Sequence, residues 1–325
     1  MNPTDIQVVD LGPDGWLLQD TAVGPRPVPA NRLDDHFTEV LAPPAWATDL
    51  LVYVHGWQTI PRSALDAVRR LVALAADRHD PERYPQLKSW RPWTVLVRWP
   101  SRSLPSLGGY RRIRDRAHAM STEGHAARVI GRLLGYLNAE RADPATPPVL
   151  ANRDGQYLHL VGHSFGCRFL CEAVQWAAGA PLTLGWSTPE PTGRPFTVDS
   201  MLLLQMAASR DAFSMMFTAL GEAPLRGPVV ATYSQHDRAT GFWHLRAEKR
   251  AGIGYAGIGT APAPVSAIRM RAPGEPYPLA ALDHRFVSVD ASDVFVHGHG
   301  PGGAHSDHLR PESAHLLLSL ADYCR

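Results

Sequence analysis

The strongest constraint on the fold is a serine flanked by glycines at a strand-to-helix junction, in residues 162–166, Gly-His-Ser-Phe-Gly. The apolar residues 157–161 before it are typical of a buried strand, and apolar residues at helical spacing follow from 169 to 177. Glycines allow the strand and the helix to pass close together, which leaves the Ser164 hydroxyl at the carboxyl edge of a sheet. The helix N-terminus behind it favours a developing negative charge. The segment therefore predicts a serine nucleophile.

The remainder of the chain alternates apolar strands with amphipathic helices. Strands are expected near residues 50–54, 94–99, 157–161, 201–206, 228–233 and 285–289, and helices from Pro61, around 129–137, after Ser164 and from Pro311. Residues 6–10 and 16–18 predict a hairpin around a Gly-Pro-Asp-Gly turn. This pattern predicts an α/β fold with a mostly parallel central sheet, helices on both faces and N-terminal hairpin strands.

We expect residues 1–325 to form one domain. Two stretches, 181–196 and 239–280, interrupt the alternation and are rich in glycine, proline, alanine and arginine. They are expected to be excursions of this domain that lie over the active site as lid segments. Ligands of such sheets bind at the carboxyl ends of the strands, so the excursions would lie where a substrate enters.

Charge and composition exclude several classes of partner. The formal net charge of +1 gives no electrostatic reason to expect nucleic acid or an anionic membrane surface. No apolar run is long enough to span a bilayer, and residues 1–5 lack the pattern of a signal peptide. Three cysteines form no disulfide framework. A cytoplasmic protein is expected.

A serine nucleophile needs a base that accepts its proton and an acid that orients the base. In the arrangement built on a Gly-x-Ser-x-Gly turn, the acid and then the histidine follow the serine along the chain. Asp237 fits the acid, because it follows the strand at 229–233 at its carboxyl end. Asp211, after the preceding strand, is the alternative acid.

Four histidines after the last strand compete for the role of base. His305 lies six residues before Pro311, which opens the terminal helix, so a loop can bring its ring to Ser164. His308 is closer to the helix and is the alternative base. His297 and His299 belong to a glycine-flanked turn that could be exposed to solvent.

An oxyanion hole requires two donors. The backbone N–H of Phe165, directly after the nucleophile, is expected to be one. The other is expected from the loop after the strand at 50–54, through the backbone of Trp57 or of Gln58. His55 is expected to be structural and to hold that loop by hydrogen bonds.

Several segments occur in a characteristic order: Leu-Val-Tyr-Val-His-Gly-Trp at 51–57, Arg-Trp-Pro-Ser at 98–101, the serine turn, His-Asp-Arg at 236–238, and Val-Asp-Ala-Ser-Asp at 289–293 before His305. In this order the chain resembles the α/β-hydrolase superfamily over residues 48–325. More narrowly it resembles a bacterial branch of uncharacterised esterase/lipase-like hydrolases, the domain of unknown function 900 type. The resemblance implies Ser164 as nucleophile, Asp237 as acid and His305 as base. Residues 239–280 are longer and richer in glycine and proline than the family pattern.

The sequence therefore predicts a serine hydrolase that cleaves a small acyl ester or thioester without a cofactor or a metal. Two other classes remain open. One is a non-catalytic module that uses the same scaffold for binding. The other is a metal hydrolase that uses His297, His299, His305 and His308, although their spacing differs from that of the known zinc motif.

Overall fold

The structure is a computed structural model that describes residues 6–141, 155–177, 196–298 and 300–325. Its strands are β1 (Ile6–Leu11), β2 (Leu17–Gln19), β3 (Arg26–Pro27), β4 (Asp49–Val54), β5 (Pro92–Arg98), β6 (Tyr157–His163), β7 (Ser200–Leu204), β8 (Val229–Tyr233), β9 (Val265–Arg269) and β10 (Phe286–Asp290). Its α-helices are α1 (Leu33–Val40), α2 (Pro61–Arg78), α3 (Leu107–His118), α4 (Ala126–Glu140), α5 (Gly166–Ala177), α6 (Ala212–Met215), α7 (His244–Glu248), α8 (Ile253–Ala256), α9 (Leu279–Leu282) and α10 (Pro311–Tyr323).

The strands form one sheet in the order β3-β2-β1-β5-β4-β6-β7-β8-β10-β9. Neighbouring strands from β1 to β9 in this order run parallel, whereas β2 and β3 pair antiparallel with their neighbours. The predicted N-terminal hairpin is thus β1 and β2, and it joins the sheet beside β5. All the parallel strands end at the same edge.

Helices cover the sheet on both faces. Successive side chains of a strand point to opposite faces, so a central strand with apolar residues on both faces needs apolar cover on each side. In β4, Val52 and Val54 join a buried cluster with α1, α3, α4 and α5. Leu51 and Tyr53 join a second cluster with α2 and α10. The α/β fold class predicted from the sequence, a mostly parallel central sheet with helices on both faces and N-terminal hairpin strands, is confirmed.

Residues 239–280 contain more regular structure than the sequence indicated. A π-helical turn at Ala239–Trp243 leads into α7 and α8, and the segment then supplies β9. β9 pairs in parallel with β10 and forms one edge of the sheet. Residues 181–195 of the other expected excursion lie outside the described residues.

No helix in the described ranges has the length and apolarity needed to cross a lipid bilayer. The cysteines Cys167, Cys171 and Cys324 are all free thiols. Cys167 and Cys171 are fully buried on α5, and this burial raises the pKa of both thiols.

A buried ion pair anchors the end of the sheet opposite the serine turn. Arg141, just after α4, pairs with Asp199, just before β7, and both side chains are almost fully enclosed. The guanidinium also donates to the carbonyl oxygens of Gln156 at 3.1 Å and Thr197 at 2.6 Å. The Leu158 backbone N–H donates to Asp199 at 2.7 Å. One arginine thus joins α4 to the starts of β6 and β7.

We predict that Arg141→Met lowers the free energy of unfolding by about 3 kcal/mol, because it leaves the buried Asp199 carboxylate with only the partly exposed Arg226 at 3.7 Å. Urea denaturation followed by circular dichroism measures the change. Arg32→Met is the control, since Arg32 and Glu39 form an ion pair that is more than half exposed and should change stability by about 1 kcal/mol or less. Equal losses in both variants would contradict the anchoring role.

Candidate active site

Four polar side chains lie at the carboxyl ends of four strands that are neighbours in the sheet. Ser164 follows β6, Gln205 follows β7, Asp237 lies in the loop after β8, and His305 lies in a single 3-10 turn after β10. Because parallel strands end at one edge, residues separated by as many as 141 positions meet there. The sequence predicted three of these four residues.

The turn at Ser164 depends on close backbone approaches. Ser164 has a left-handed backbone with φ of 56°, which is uncommon for a residue other than glycine. A Cβ on Gly162 would lie 2.7 Å from the Cα of Cys167. A Cβ on Gly166 would lie 2.3 Å from the carbonyl oxygen of Val54. The first turn of α5 therefore packs directly against the end of β4, as the glycine spacing predicted.

Ser164, His305 and Asp237 form a continuous hydrogen-bonded chain. The distance from Ser164 Oγ to His305 Nε2 is 2.7 Å, and that from His305 Nδ1 to Asp237 Oδ2 is 2.8 Å. An ionised carboxylate only accepts hydrogen bonds, so Nδ1 carries the imidazole proton and Nε2 accepts from the serine hydroxyl. All three residues are buried.

Asp237 accepts further hydrogen bonds that fix the position of its carboxylate. The Thr240 backbone N–H donates to Oδ1 at 3.0 Å, and Gln205 Nε2 donates to Oδ2 at 3.1 Å. The same Gln205 amide donates to the carbonyl oxygen of Ala304 at 3.0 Å. Gln205 has a φ of 46° and is fully buried. It thus links the loop that carries Asp237 to the turn that carries His305.

Backbone hydrogen bonds also hold these two loops together. The Ala304 N–H donates to the carbonyl oxygen of His236 at 3.0 Å, and the Arg238 N–H donates to that of Gly302 at 3.0 Å. Gly303 has a φ of 59°, and a Cβ there would lie 2.6 Å from the His236 carbonyl oxygen. The glycine-rich loop before His305 is therefore the part that fits against the Asp237 loop.

The alternative acid and base have other contacts. Asp211 forms an ion pair with Arg250. His308 is buried and stacks on His163, with ring centroids 3.8 Å apart. His297 is exposed, and its backbone N–H donates to Asp307 at 2.9 Å. His299 lies outside the described residues.

The loop after β4 lies against the serine turn. A Cβ on Gly56 would come within 2.7 Å of the Ser164 Cβ. The Gln58 N–H donates to the carbonyl oxygen of Ser101 at 3.1 Å. Among the described residues, by contrast, the backbone N–H groups of Trp57 and Phe165 have no acceptor. Of the two predicted sources of the second donor, the N–H of Trp57 is the one left available.

His55 holds this loop, in agreement with its expected structural role. Its Nδ1 donates to the Gly56 carbonyl oxygen at 3.0 Å, and its Nε2 accepts from the Trp99 backbone N–H at 3.2 Å. The two rings stack, and the Trp99 indole donates to the His55 carbonyl oxygen at 2.8 Å. Burial lowers the pKa of His55 to about 4, so the ring stays neutral near pH 7.

His163, within the serine motif, has a structural contact that the sequence did not indicate. Its Nε2 donates to the carbonyl oxygen of His305 at 2.9 Å, and its ring lies 4.8 Å from that of His305. Burial and the neighbouring imidazoles lower its pKa well below the usual range. Burial lowers the pKa of His308, which stacks on its other side, to about 3. Two neutral rings thus pack beside His305.

Among the described residues, no group of three or more histidine, cysteine, aspartate or glutamate side chains is arranged to hold a metal ion.

No protein-family model matches this chain, and no curated protein matches it. Among solved structures, the chain is similar to TT1662 from Thermus thermophilus, with a TM-score of 0.40 and 13% sequence identity. The match covers 86% of this chain and 90% of that one. At this TM-score the likeness carries no functional inference.

We predict that His308→Phe makes stability less dependent on pH. The pKa of His308 is about 3 in the folded protein and about 6.5 in an unfolded chain, so the unfolded state binds the extra proton between these values. His308 therefore has no effect on the pH dependence of the free energy of unfolding above about pH 6.5. Below that, it makes this free energy decrease as the pH falls toward 3. His308 contributes a slope on the order of 1 kcal/mol per pH unit, which the variant lacks.

Urea denaturation at pH 7.5, 6 and 5 measures this slope. His297→Gln, in the exposed turn before the same helix, is the control and should keep the wild-type slope. The interpretation is wrong if His308→Phe and the wild type lose the same stability over this range.

Proposed function

We propose that this protein is a serine hydrolase that cleaves a carboxylic ester or thioester through an acyl-enzyme. The observation that carries the proposal is the pair of short contacts that links Ser164 Oγ through the His305 ring to Asp237, at 2.7 and 2.8 Å. Serine becomes nucleophilic when a base within hydrogen-bonding distance removes its proton. The carboxylate in turn holds the imidazole in the required tautomer.

In the proposed reaction, His305 Nε2 takes the proton as Ser164 Oγ attacks the carbonyl carbon of the substrate. The tetrahedral intermediate collapses when the bond to the leaving group breaks, and the imidazolium protonates the departing alcohol or thiol. Water then enters and gives a proton to His305 as it attacks the acyl-enzyme. The ester bond to Ser164 breaks, the serine recovers its proton, and a carboxylic acid is released.

Two backbone donors, the N–H groups of Phe165 and Trp57, are proposed to stabilise the negative charge that develops on the carbonyl oxygen of the substrate. Their lack of an acceptor among the described residues supports this role, as does the close approach of the Gly56 backbone to Ser164. An oxyanion hole of backbone amides needs no rearrangement during the reaction, and one such donor contributes on the order of 3 kcal/mol to lowering the barrier.

Gln205 is proposed as a positioning residue. Its amide bonds both to the Asp237 carboxylate and to the Ala304 carbonyl oxygen next to His305. It therefore fixes the distance between the acid and the base without a contact to the reacting atoms.

The assignment to the α/β-hydrolase superfamily belongs to the same proposal, and it rests on the order of the motifs along this sheet. A single domain, a cytoplasmic location and lid segments at residues 181–196 and 239–280 also remain predictions.

We predict that Ser164→Ala abolishes labelling by a fluorophosphonate probe and lowers the hydrolysis of p-nitrophenyl butyrate by about 10³-fold or more, because the nucleophile is lost. Gel fluorescence and a spectrophotometric assay measure the two effects. Ser306→Ala, an exposed serine beside His305, is the control and should behave as the wild type. Persistent labelling of a folded Ser164→Ala protein would exclude this nucleophile, and an unlabelled wild type would favour a binding module.

We also predict that the histidines at 305 and 308 differ in their effect on kcat. His305→Ala should lower kcat by at least about 10³-fold, and Asp237→Asn by about 10³- to 10⁴-fold, because each disrupts proton transfer from the serine. His308→Phe should retain kcat within about threefold, because neither ring nitrogen of His308 has a hydrogen-bond partner among the described residues. Steady-state kinetics on p-nitrophenyl butyrate decide the matter. The reverse ranking of the two histidines would reassign the base.

A further inference from the structure

A cavity of about 370 Å³ lies beside the elements that carry the triad. It is lined by α3, the first turn of α5, the loop after β7, the end of α6 and α7, and it opens to solvent on one side. Six charged or titratable side chains line it: Arg114, Asp115, His118, Arg168, His244 and Glu248. The proposed function assigns no role to any of them.

Two contacts connect this cavity to the serine turn. Arg168 lies in the first turn of α5, four residues after Ser164, and its backbone N–H donates to the Phe165 carbonyl oxygen at 3.0 Å. Tyr110 packs on the Phe165 ring, with centroids 5.4 Å apart, and its hydroxyl bonds to His244 Nδ1 at 2.9 Å. The backbone of Arg168 and the Tyr110 side chain therefore link the lining of the cavity to Phe165, which supplies a proposed oxyanion donor.

Arg168 is a buried cation with an unused hydrogen-bond donor. It is 5% exposed, and burial lowers the pKa of its guanidinium, an effect that attraction to the Glu172 and Glu248 carboxylates only partly offsets. Its hydrogen bond is to His118 Nδ1 at 3.2 Å, and its Nε has no partner. Arg141, equally buried, pairs with Asp199. Since a buried polar group is costly unless it is hydrogen-bonded, the Nε donor of Arg168 needs an acceptor, which an anionic ligand could supply.

His244 presents a second unused donor at the same cavity. It is 2% exposed, and its Nε2 has no partner among the described residues. When Tyr110 donates to Nδ1, the neutral ring carries its proton on Nε2. Burial lowers the pKa of His244 to about 3, so the ring remains neutral near pH 7.

The two carboxylates of the cavity are engaged by another arginine. Arg114 bonds to Asp115 at 2.6 Å and to Glu248 at 3.1 Å. Asp115 is largely exposed, so water screens its charge. Glu248 also attracts Arg168 electrostatically, so Arg168 contributes an unused N–H donor to the cavity rather than a surplus positive charge.

We propose that this cavity binds a carboxylate at the far end of the substrate's acyl group, held by Arg168 and His244. The substrate class would then be a half-ester or half-thioester of a short dicarboxylic acid. This assignment rests on the proposed ester hydrolysis at Ser164. Arginine matches a carboxylate through paired N–H groups, and a charge-assisted bond of this kind is stronger than a neutral one.

The first test needs no variant. The wild-type kcat/KM is measured for the p-nitrophenyl monoester of glutaric acid and for the same compound with its free carboxyl group methylated. The proposal expects the charged substrate to be preferred about tenfold or more, because methylation removes the charge-assisted bond. Equal values, or a preference for the methyl ester, would overturn it.

The second test assigns the preference to residues. Arg168→Met should remove the preference while it leaves hydrolysis of the methylated substrate within about threefold, and Arg168→Lys should restore part of it. His244→Phe provides an independent variant if Arg168→Met does not fold, and it should weaken the preference severalfold. Arg246→Met is the control, because Arg246 is an exposed cation on α7 whose guanidinium lies 4.5 Å from the Phe242 ring centroid. If Arg246→Met abolishes the preference and both Arg168 variants keep it, the cavity is not the site.

The third test measures anion binding at the cavity independently of ester hydrolysis. Thermal unfolding of Ser164→Ala protein is followed with glutarate, with inorganic phosphate and with neither, since a ligand that binds the folded state raises the melting temperature. Glutarate should stabilise this protein, and it should not stabilise the double variant with Arg168→Met. If glutarate binds but no ester is cleaved, ester hydrolysis is wrong and the anion site stands. If esters are cleaved without preference and glutarate has no effect, the cavity assignment is wrong. Stabilisation by phosphate alone would overturn the carboxylate assignment.

Discussion

The close contact between the end of β4 and the start of α5 determines most of the site. Gly56, Gly162 and Gly166 leave no room for a side chain at this contact, and Ser164 takes a left-handed backbone between them. The same approach brings the loop that carries Trp57 beside the serine. A larger residue at any of these glycines would move the hydroxyl and the proposed donors at once, because all of them depend on one backbone geometry.

Because the polar groups at this edge of the sheet are buried, each of them must be hydrogen-bonded or uncharged. The Asp237 carboxylate is surrounded by donors from Gln205, His305 and the backbone of Thr240. The adjacent histidines, His163 and His308, are held neutral by burial instead. Arg168 differs from both groups, because its guanidinium Nε is buried without a hydrogen-bond partner among the described residues. That contrast separates the residues that complete the scaffold from those that remain available to a ligand.

The fold and the positions of Ser164, Asp237 and His305 could be predicted because they depend on topology. Parallel strands end at one edge, and the order of serine, acid and histidine follows the order of those ends. Gln205 could not be found in this way, since a single glutamine after a strand has no characteristic spacing. Its role depends on a side-chain conformation that reaches two loops. The edge strand β9 was missed because its residues are only partly buried and lack a continuous apolar pattern. The stacking of His308 on His163 depends on the path of a loop that no periodicity describes.

The two thiols on α5 can report the local stability of the serine turn. The Cα of Cys167 lies directly against Gly162, and Cys171 follows one helical turn later in the same core. Burial keeps both sulphurs protonated and away from solvent. An alkylating reagent can reach them only after α5 separates from the sheet. The rate of alkylation of these two sulphurs therefore measures how often α5, which follows Ser164, unfolds locally.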